Sequence, residues 1–508
     1  MWGMWLQGIS GVFALHPLTL IVVGVAVGIV FGSIPGLTAT MAVALCLPMT
    51  FGMDPIVGMC LLCGLYVGGI SGGLISAILI NIPGTPASVA TCFDGYPMAV
   101  RGEAGKALGI GILYSFLGGL FSFAVLFFLA PPLARFALKF GPYEYFSVAV
   151  FSLTLVAGLA GRSLAKGLAG ALIGFSATMI GMAPIDSYKR FTLGFPELDG
   201  GFDLLPVLIG LFAVSEILKA AAPSPRSDEI NIKVQQFTMP GFMGITWPEF
   251  KAQWWNFLRS SVIGTWIGIL PGIGGGTSNL LSYMAAKNSS KNPEKFGTGI
   301  IDGVIASETA NNASIGGAFV PLLTLGIPGD TVTAMLLGGF MIHGIVPGPL
   351  LFRSNGDLVY GIFVALLVAN VVMISMEYYG LRVFVKLLRI PKFYLLPVIL
   401  ALCVVGAFGL NNRVFDVWTI LVFGLLGYAL ERFGYPLVPL ILGFILGPMA
   451  ETSLRRGLMS SRGSFQPFLT EPISLLLLVA ALIYAVTAVR KNLKMAKLER
   501  ARQEAALR

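Results

Sequence analysis

The chain has 508 residues, 56% of them hydrophobic and only 11% charged, and a net charge of +9. Soluble domains carry about 25% charged residues, so the composition excludes an ordinary soluble enzyme and describes a polytopic, all-α membrane protein. The positive charge does not point to nucleic acid, because the basic residues sit in short loops and in the tail from Arg490 to Arg508, where positive-inside bias accounts for them.

Taken in chain order, apolar segments of near-spanning length lie at about 17 to 50, 56 to 92, 107 to 130, 145 to 161, 167 to 183, 204 to 222, 258 to 286, 299 to 345, 358 to 378, 394 to 410, 415 to 430, 436 to 450 and 472 to 489. Several are too long for one crossing and too broken for two. The first lacks a basic leader and a small-residue cleavage site, so it is expected to be retained rather than removed as a signal peptide. The tail is expected to extend the last helix along an anionic membrane surface.

Gly28, Gly32, Pro35 and Gly36 recur with the same spacing as Gly264, Gly268, Pro271 and Gly272, and Gly72, Pro83 and Gly84 recur as Gly317, Pro328 and Gly329. A weaker match sets Pro206 and Gly210 against Pro439 and Gly443. The sequence therefore reads as two related membrane repeats, 1–222 and 257–455, joined by a cytoplasmic linker at 223–256 and followed by an extra helix and basic tail at 456–508. Equivalent loops differ in charge: residues 50–56 carry no Lys or Arg, whereas the matching loop holds Lys287, Lys291 and Lys295. That contrast predicts inverted topology, with the N-terminus outside and the tail inside.

Four interruptions fall inside these apolar stretches: ProGlyLeuThrAlaThr at 35–40, AsnIleProGlyThrPro at 81–86, ProGlyIleGlyGlyGlyThrSerAsn at 271–279 and GlyIleProGlyAspThr at 326–331. Proline removes a backbone donor and glycine weakens a helix, so such breaks persist in a membrane only where protein or a cavity satisfies the freed groups. A helix is expected to start after each Pro-Gly, and its first N–H groups form an anion site. The expected substrate-binding residues are Pro35, Gly36, Thr38, Thr40, Pro83, Gly84, Thr85, Ser88, Pro271, Gly272, Thr277, Ser278, Asn279, Pro328, Gly329 and Thr331. Kinking and close helix packing are the plainer explanation of any single break, but packing alone does not call for hydroxyls beside all four.

Glu308 and Asp330 are the carboxylates expected within the membrane, where an ionisable group calls for a role. With Asn311 and Asn312 they offer the oxygen ligands that Na⁺ prefers. Helix capping, or a protonated and hydrogen-bonded acid, is the alternative for both Glu308 and Asp330. Glu144, Asp54 and Asp94 fall at segment ends and are expected to be solvated. Two His and five scattered Cys supply neither a catalytic cluster nor a metal centre, and Cys60 with Cys63 lacks a second pair. A membrane-embedded enzyme is thus disfavoured, and an anion channel is the nearest rival to a transporter.

ProGlyLeuThrAlaThr at 35, AsnIleProGlyThrPro at 81, PheAspGlyTyrProMet at 93, GluThrAlaAsnAsnAla at 308 and GlyIleProGlyAsp at 326 occur together in an order that resembles the large membrane subunit (TctA family) of the tripartite tricarboxylate transporters. The resemblance covers nearly the whole chain. It implies a permease of the bacterial inner membrane that works with a periplasmic solute-binding receptor and a small four-helix membrane subunit. It also implies small carboxylate substrates such as citrate and an ion gradient in place of an ATPase. Its architecture implies an elevator-type transporter, with Na⁺ as the expected coupling ion, protons as the alternative, and no other cofactor.

Overall fold

The computed structural model describes residues 2–159, 163–221, 241, 243–387 and 392–506. In chain order the helices are α1 (Trp2–Val12), α2 (Leu15–Ser33), α3 (Ala39–Cys46), α4 (Pro55–Ile80), α5 (Thr91–Val100), α6 (Ala104–Ala137), α7 (Pro142–Leu159), α8 (Leu164–Thr178), α9 (Leu204–Ile209) and α10 (Ser215–Ala221). There follow α11 (Trp247–Ala252), α12 (Trp254–Ile269), α13 (Gly274–Ser289), α14 (Ile301–Leu325), α15 (Thr331–Ile342), α16 (Leu351–Ser354), α17 (Gly356–Leu387), α18 (Lys392–Asn411), α19 (Val414–Arg432), α20 (Leu437–Ser460), α21 (Gln466–Thr470) and α22 (Pro472–Ala506). Among the described residues nine helices are long and apolar enough to cross a membrane, and the one sheet is a short antiparallel pair, β1 (Gly181–Met182) with β2 (Lys189–Arg190). As expected, the helix from Pro472 continues through the basic tail. Most of the linker lies outside the described residues, but α11 falls in its last part, held by a capping box of Thr246 with Glu249.

The chain divides into two compact units, one formed by the residues up to Leu138 with Leu208–Gly424, the other by Lys139–Val207 with Leu425–Arg508. In the second unit α20 packs on α7 and α8, and α22 packs on α7. Small residues permit the close approach: a side chain at Gly174 would collide with Leu440 O, and one at Gly443 with Ala171 O. Arg190 is bidentate to Glu451, at 2.6 and 3.1 Å, and Arg455 binds Asp186 at 2.7 Å. Glu144, expected to be solvated, is buried and accepts from the Gly141 N–H at 2.8 Å, because it ties down its own helix start.

The first unit holds all four interruptions, and it uses one packing device twice. Along α2 and α4, side chains added at Gly28, Gly32 and Gly72 would collide with Leu65 O, Gly69 O and Ile29 O. Along α12 and α14, the corresponding additions at Gly264, Gly268 and Gly317 would collide with Ala310 O, Ser314 O and Thr265 O. The matched glycines are thus the points where two backbones touch. The third sequence match does not extend this pattern: Gly210 opens a π turn facing Ile420 O in the first unit, whereas Gly443 belongs to the second.

At the centre of the first unit lies α14, enclosed by α4, α5, α6, α12 and α13. It is buried from Gly303 to Thr324, although it carries Ser307, Glu308, Thr309, Asn311, Asn312 and Ser314. A helix this polar is stable inside a membrane protein only when its neighbours, and not lipid, receive its side chains.

Candidate substrate and cation site

Each interruption begins with a backbone device. Gly36 and Gly272 take positive φ, at 88° and 70°, so both Pro-Gly pairs turn through a conformation that an L side chain resists. At AsnIleProGly and GlyIleProGly the preceding helices end instead at the left-handed first residue of the motif, Asn81 (φ 56°) and Gly326 (φ 72°). Gly84 and Gly329 then let the chain re-enter against the partner break, since a side chain at Gly84 would strike Gly32 O and one at Gly329 would lie 2.5 Å from Gly268 O.

Three of the four breaks release an α-helix, as expected: α3, α13 and α15. The second releases only a 3₁₀ turn, Pro86–Ser88, because Pro86 follows Thr85 directly, and α5 begins at Thr91. The caps differ in a way the sequence does not announce. Thr38 accepts from the Met41 N–H at 3.1 Å and caps α3. Asp330 accepts from the Thr333 N–H and hydroxyl, both at 2.7 Å, and caps α15. The first residues of α13 receive no side-chain cap.

The four interruptions meet one another. Thr40 at the start of α3 shares a 2.9 Å hydrogen bond with Thr331 at the start of α15. Asp330 in turn lies against Gly274, where an added methyl group would fall 2.7 Å from Asp330 Cβ. The next two glycines of α13 face the second break, Gly275 against Ala87 and Gly276 against Pro86. Asn279 fastens that contact, donating to Ala87 O at 2.5 Å and accepting from the Ala90 N–H at 3.1 Å. Pro35, Pro83, Pro271 and Pro328 bend the backbone into this junction, and Ser278 spends its hydroxyl on Gly275 O and Ala310 O, at 3.0 and 3.2 Å. Thr277 is half-buried on the same turn.

Two positions matched between the repeats now behave differently. Tyr66 on α4 corresponds to Asn311 on α14, and Asp330 corresponds to Thr85. The Tyr66 hydroxyl donates to Asp330 Oδ2, closing that tip, and both Asp330 oxygens are engaged. Across the other tip, Asn311 Oδ1, Thr85 Oγ1 and the nearby Ser76 Oγ are buried with no hydrogen-bond partner, and the Asn311 amide nitrogen faces the Glu308 carboxylate. Thr85 O accepts from the Ser88 N–H and hydroxyl, each at 3.0 Å, and the Thr85 N–H donates to Ser88 Oγ at 3.4 Å. A methyl group added at Gly275, beside the uncapped start of α13, would lie 2.9 Å from Asn311 Oδ1. Buried polar groups left unpaired cost about 1–3 kcal/mol each, and a bound ligand would satisfy this set.

Glu308 stands one turn from Asn311 and is fully buried. The Thr91 hydroxyl donates to its Oε1, and Ser115 Oγ donates to Oε2 at 3.0 Å. Asn312 Nδ2 donates to Glu308 O at 3.1 Å, and its Oδ1 has no partner. No Lys or Arg is paired with Glu308 or Asp330 among the described residues. Asp94, expected to be solvated, is instead fully buried: its Oδ1 accepts from the N–H groups of Gly297, Gly299 and Ile300 at 2.8–3.0 Å, and Tyr283 donates to Oδ2 at 2.9 Å. It caps the approach to α14, which no local sequence signal marks. Glu377 on α17 is a further buried acid, in contact with Ser71, and the sequence reading did not single it out.

No group of three or more His, Cys, Asp or Glu side chains suited to a metal ion occurs among the described residues. The folded chain is a multi-pass helical membrane protein with a buried junction of broken helices, the architecture of a transport protein. It belongs to the tripartite tricarboxylate transporter TctA family, which it matches over residues 18–442. It is 38% identical over 487 residues, 95% of each chain, to an uncharacterized protein encoded 3′ of ttuC′ in the TAR-I region of Agrobacterium vitis. It is also 41% identical over 231 residues, 46% of this chain and 96% of the other, to a protein encoded at the same position in the TAR-II region. No solved structure matches significantly.

Proposed function

We propose that the chain is the large permease subunit of a receptor-dependent secondary transporter that imports di- and tricarboxylates across the bacterial inner membrane with Na⁺. The observation that carries this reading is the unfilled polar set between Asn311, Thr85 and the uncapped start of α13. The alternative helix end, that of α15, is a poorer anion site because the Asp330 carboxylate already occupies it. The substrate carboxylate therefore binds the first N–H groups of α13, the Thr85 hydroxyl and the Asn311 amide Nδ2–H. Na⁺ binds Asn311 Oδ1 with oxygens of Glu308 and Asn312, the hard donors it favours. One asparagine then holds both ions, so each raises the affinity for the other. Asp330 acts as a helix cap in this scheme and not as a cation ligand.

Loop contacts support inverted repeats. Gly58, after the 50–56 loop that carries no Lys or Arg, lies against His343, whereas Arg101 donates to Thr298 O and Gly299 O and Lys106 binds Glu249 at 2.7 Å. The second group of loops carries most of the Lys residues of the region and faces the cytoplasm in this reading, with the N-terminus periplasmic and the tail cytoplasmic. The periplasmic receptor and the small four-helix subunit complete the assembly. The body that carries the four interruptions is the moving part of an elevator, and later helices of each repeat form its scaffold.

The test is uptake of labelled citrate by proteoliposomes holding the three components. Replacing external Na⁺ with choline is expected to abolish accumulation while counterflow separates a carrier from a channel. Gly84→Val and Gly329→Val are expected to abolish uptake with expression intact; undiminished transport in either would reject the assigned junction.

A further inference from the structure

Asn279 and Tyr283 stand one turn apart on a single face of α13, and so do the residues they grip, Ala90 at the start of α5 and Asp94 in its first turn. Asn279 binds Ala87 O and the Ala90 N–H, at 2.5 and 3.1 Å, and the Tyr283 hydroxyl donates to Asp94 Oδ2 at 2.9 Å. The Tyr283 ring meets Phe93 and Phe296 edge-on at 5.3 and 5.4 Å, and it packs with Ala90, Ala286 and Ala306 in one apolar cluster. A helix of the second repeat is thus strapped twice to the segment that follows the second interruption of the first. Asp94 Oδ1 reaches a further element, the 297–300 segment that leads into α14, through the N–H groups of Gly297, Gly299 and Ile300. Gly297 and Gly299 wrap that segment around the carboxylate at φ 90° and 98°, and a side chain at Gly303 would strike Asp94 Oδ2. Arg101 of the first repeat takes the carbonyls of Thr298 and Gly299 and pairs with Glu103 at 2.9 Å. The segment is held by its donors on one side and its acceptors on the other.

We propose that Asp94 is a positioning residue for the substrate site: acting through Tyr283, it sets where the anion-binding start of α13 stands against Thr85. The start of α13 cannot set its own place. It has no side-chain cap, and its first residues, Gly274, Gly275 and Gly276, offer no side chain to fix a register. The register must therefore come from farther along the helix, where Asn279 and Tyr283 supply the polar contacts to the segment after Thr85. Tyr283 lies about 13 Å along the helix from Gly274, and a regular helix transmits a shift at one end to the other. Asn279 shares this duty, since its amide is spent on the backbone of the second tip and not on cargo. This inference rests on the assignment of the substrate carboxylate to the start of α13.

The measurement is citrate uptake by the reconstituted three-component system, with half-saturating citrate, half-saturating Na⁺ and maximal rate determined for each variant. Tyr283→Phe keeps the ring packing and removes only the hydroxyl. It should raise half-saturating citrate several-fold and leave maximal rate and half-saturating Na⁺ near their natural values. Asp94→Asn keeps an oxygen for the 297–300 amides and replaces a charge-assisted bond to Tyr283 with a neutral one, so half-saturating citrate should rise here too. In the Tyr283→Phe background Asp94→Asn should add little, because the bond through which it acts is already gone. A merely structural role would lower the amount of folded protein and the maximal rate with half-saturating citrate unmoved, and that result overturns the proposal, as do two effects that simply add. If Asp94→Asn does not fold, Tyr283→Phe alone decides by the same shift in half-saturating citrate. Failure of the underlying site reading is seen elsewhere: Asn311→Leu combined with Thr85→Val would then leave uptake unchanged.

Discussion

The two re-entrant tips of the first unit are built on the same plan and finished differently. At one, Asp330 caps α15 and receives the Tyr66 hydroxyl, so every polar atom is engaged. At the other, Thr85 and Asn311 occupy the matched positions, and Thr85 Oγ1, Asn311 Oδ1 and the nearby Ser76 Oγ are left unpaired in the interior. Equal packing with unequal hydrogen bonding separates two duties that a duplicated sequence shares. The close backbone approaches at Gly28, Gly32, Gly264 and Gly268 make the frame, and in the proposed scheme the Tyr-to-Asn and Asp-to-Thr differences decide which end receives cargo. The closed tip is structural. The open tip is the ligand site in the proposed scheme.

The largest expected effect comes from filling the open tip with apolar groups. Asn311→Leu and Thr85→Val each remove hydrogen bonds to an ion, worth about 1.5–3 kcal/mol apiece, so the pair together should lower uptake by about 100-fold or more. Because these atoms are unpaired in the folded chain, thermal stability should hold or rise. A loss of folding with normal residual uptake would reverse the assignment of the two tips. Next in size, Tyr66→Phe leaves a buried carboxylate oxygen without its donor and should cost about 1–3 kcal/mol of stability, read as a lowered Tm. Half-saturating Na⁺ and citrate should stay near their natural values. A large change in either, with stability intact, would make the closed tip a ligand site too.

The smallest effect falls outside the membrane. Hydrogen bonding to Lys106 holds the Glu249 carboxyl down at about 2, below its ordinary 4.5. A depressed acid stabilises the fold fully above its ordinary value and loses that contribution as pH falls toward the folded value. The clasp between the end of the linker and α6 should therefore open between about pH 4.5 and 2, seen as faster proteolysis near Trp247. Glu249→Gln should show the faster cleavage already at neutral pH. Cleavage that is independent of pH in the natural chain would remove this clasp from the account.

Much of this plan was legible from residues alone. Matched Gly and Pro positions marked all four interruptions, since few residue types allow a chain to stop and restart inside a membrane. Burial of α14 could be anticipated from Glu308, Asn311 and Asn312 standing in an apolar stretch. The capping of α15 by Asp330 was visible only as an alternative, because a carboxylate before a helix and a carboxylate beside a cation look alike in sequence. Asp94 and Glu144 went the other way: both stand at segment ends, where solvation is the ordinary fate, yet long-range backbone donors enclose Asp94 and a local one engages Glu144. The contrast between tips was illegible, for it depends on which of two matched side chains reaches across from a distant helix. Glu377 stands inside the apolar run 358–378, where an acid could have been singled out as Glu308 was.

The most direct test of the account is binding of Na⁺ and citrate to the purified assembly carrying Asn311→Asp. That change keeps the oxygen offered to Na⁺ and removes the N–H offered to the substrate carboxylate. The account predicts retained Na⁺ binding with citrate affinity lowered by about 30-fold or more. Unaltered citrate affinity, or loss of Na⁺ binding alone, would contradict it.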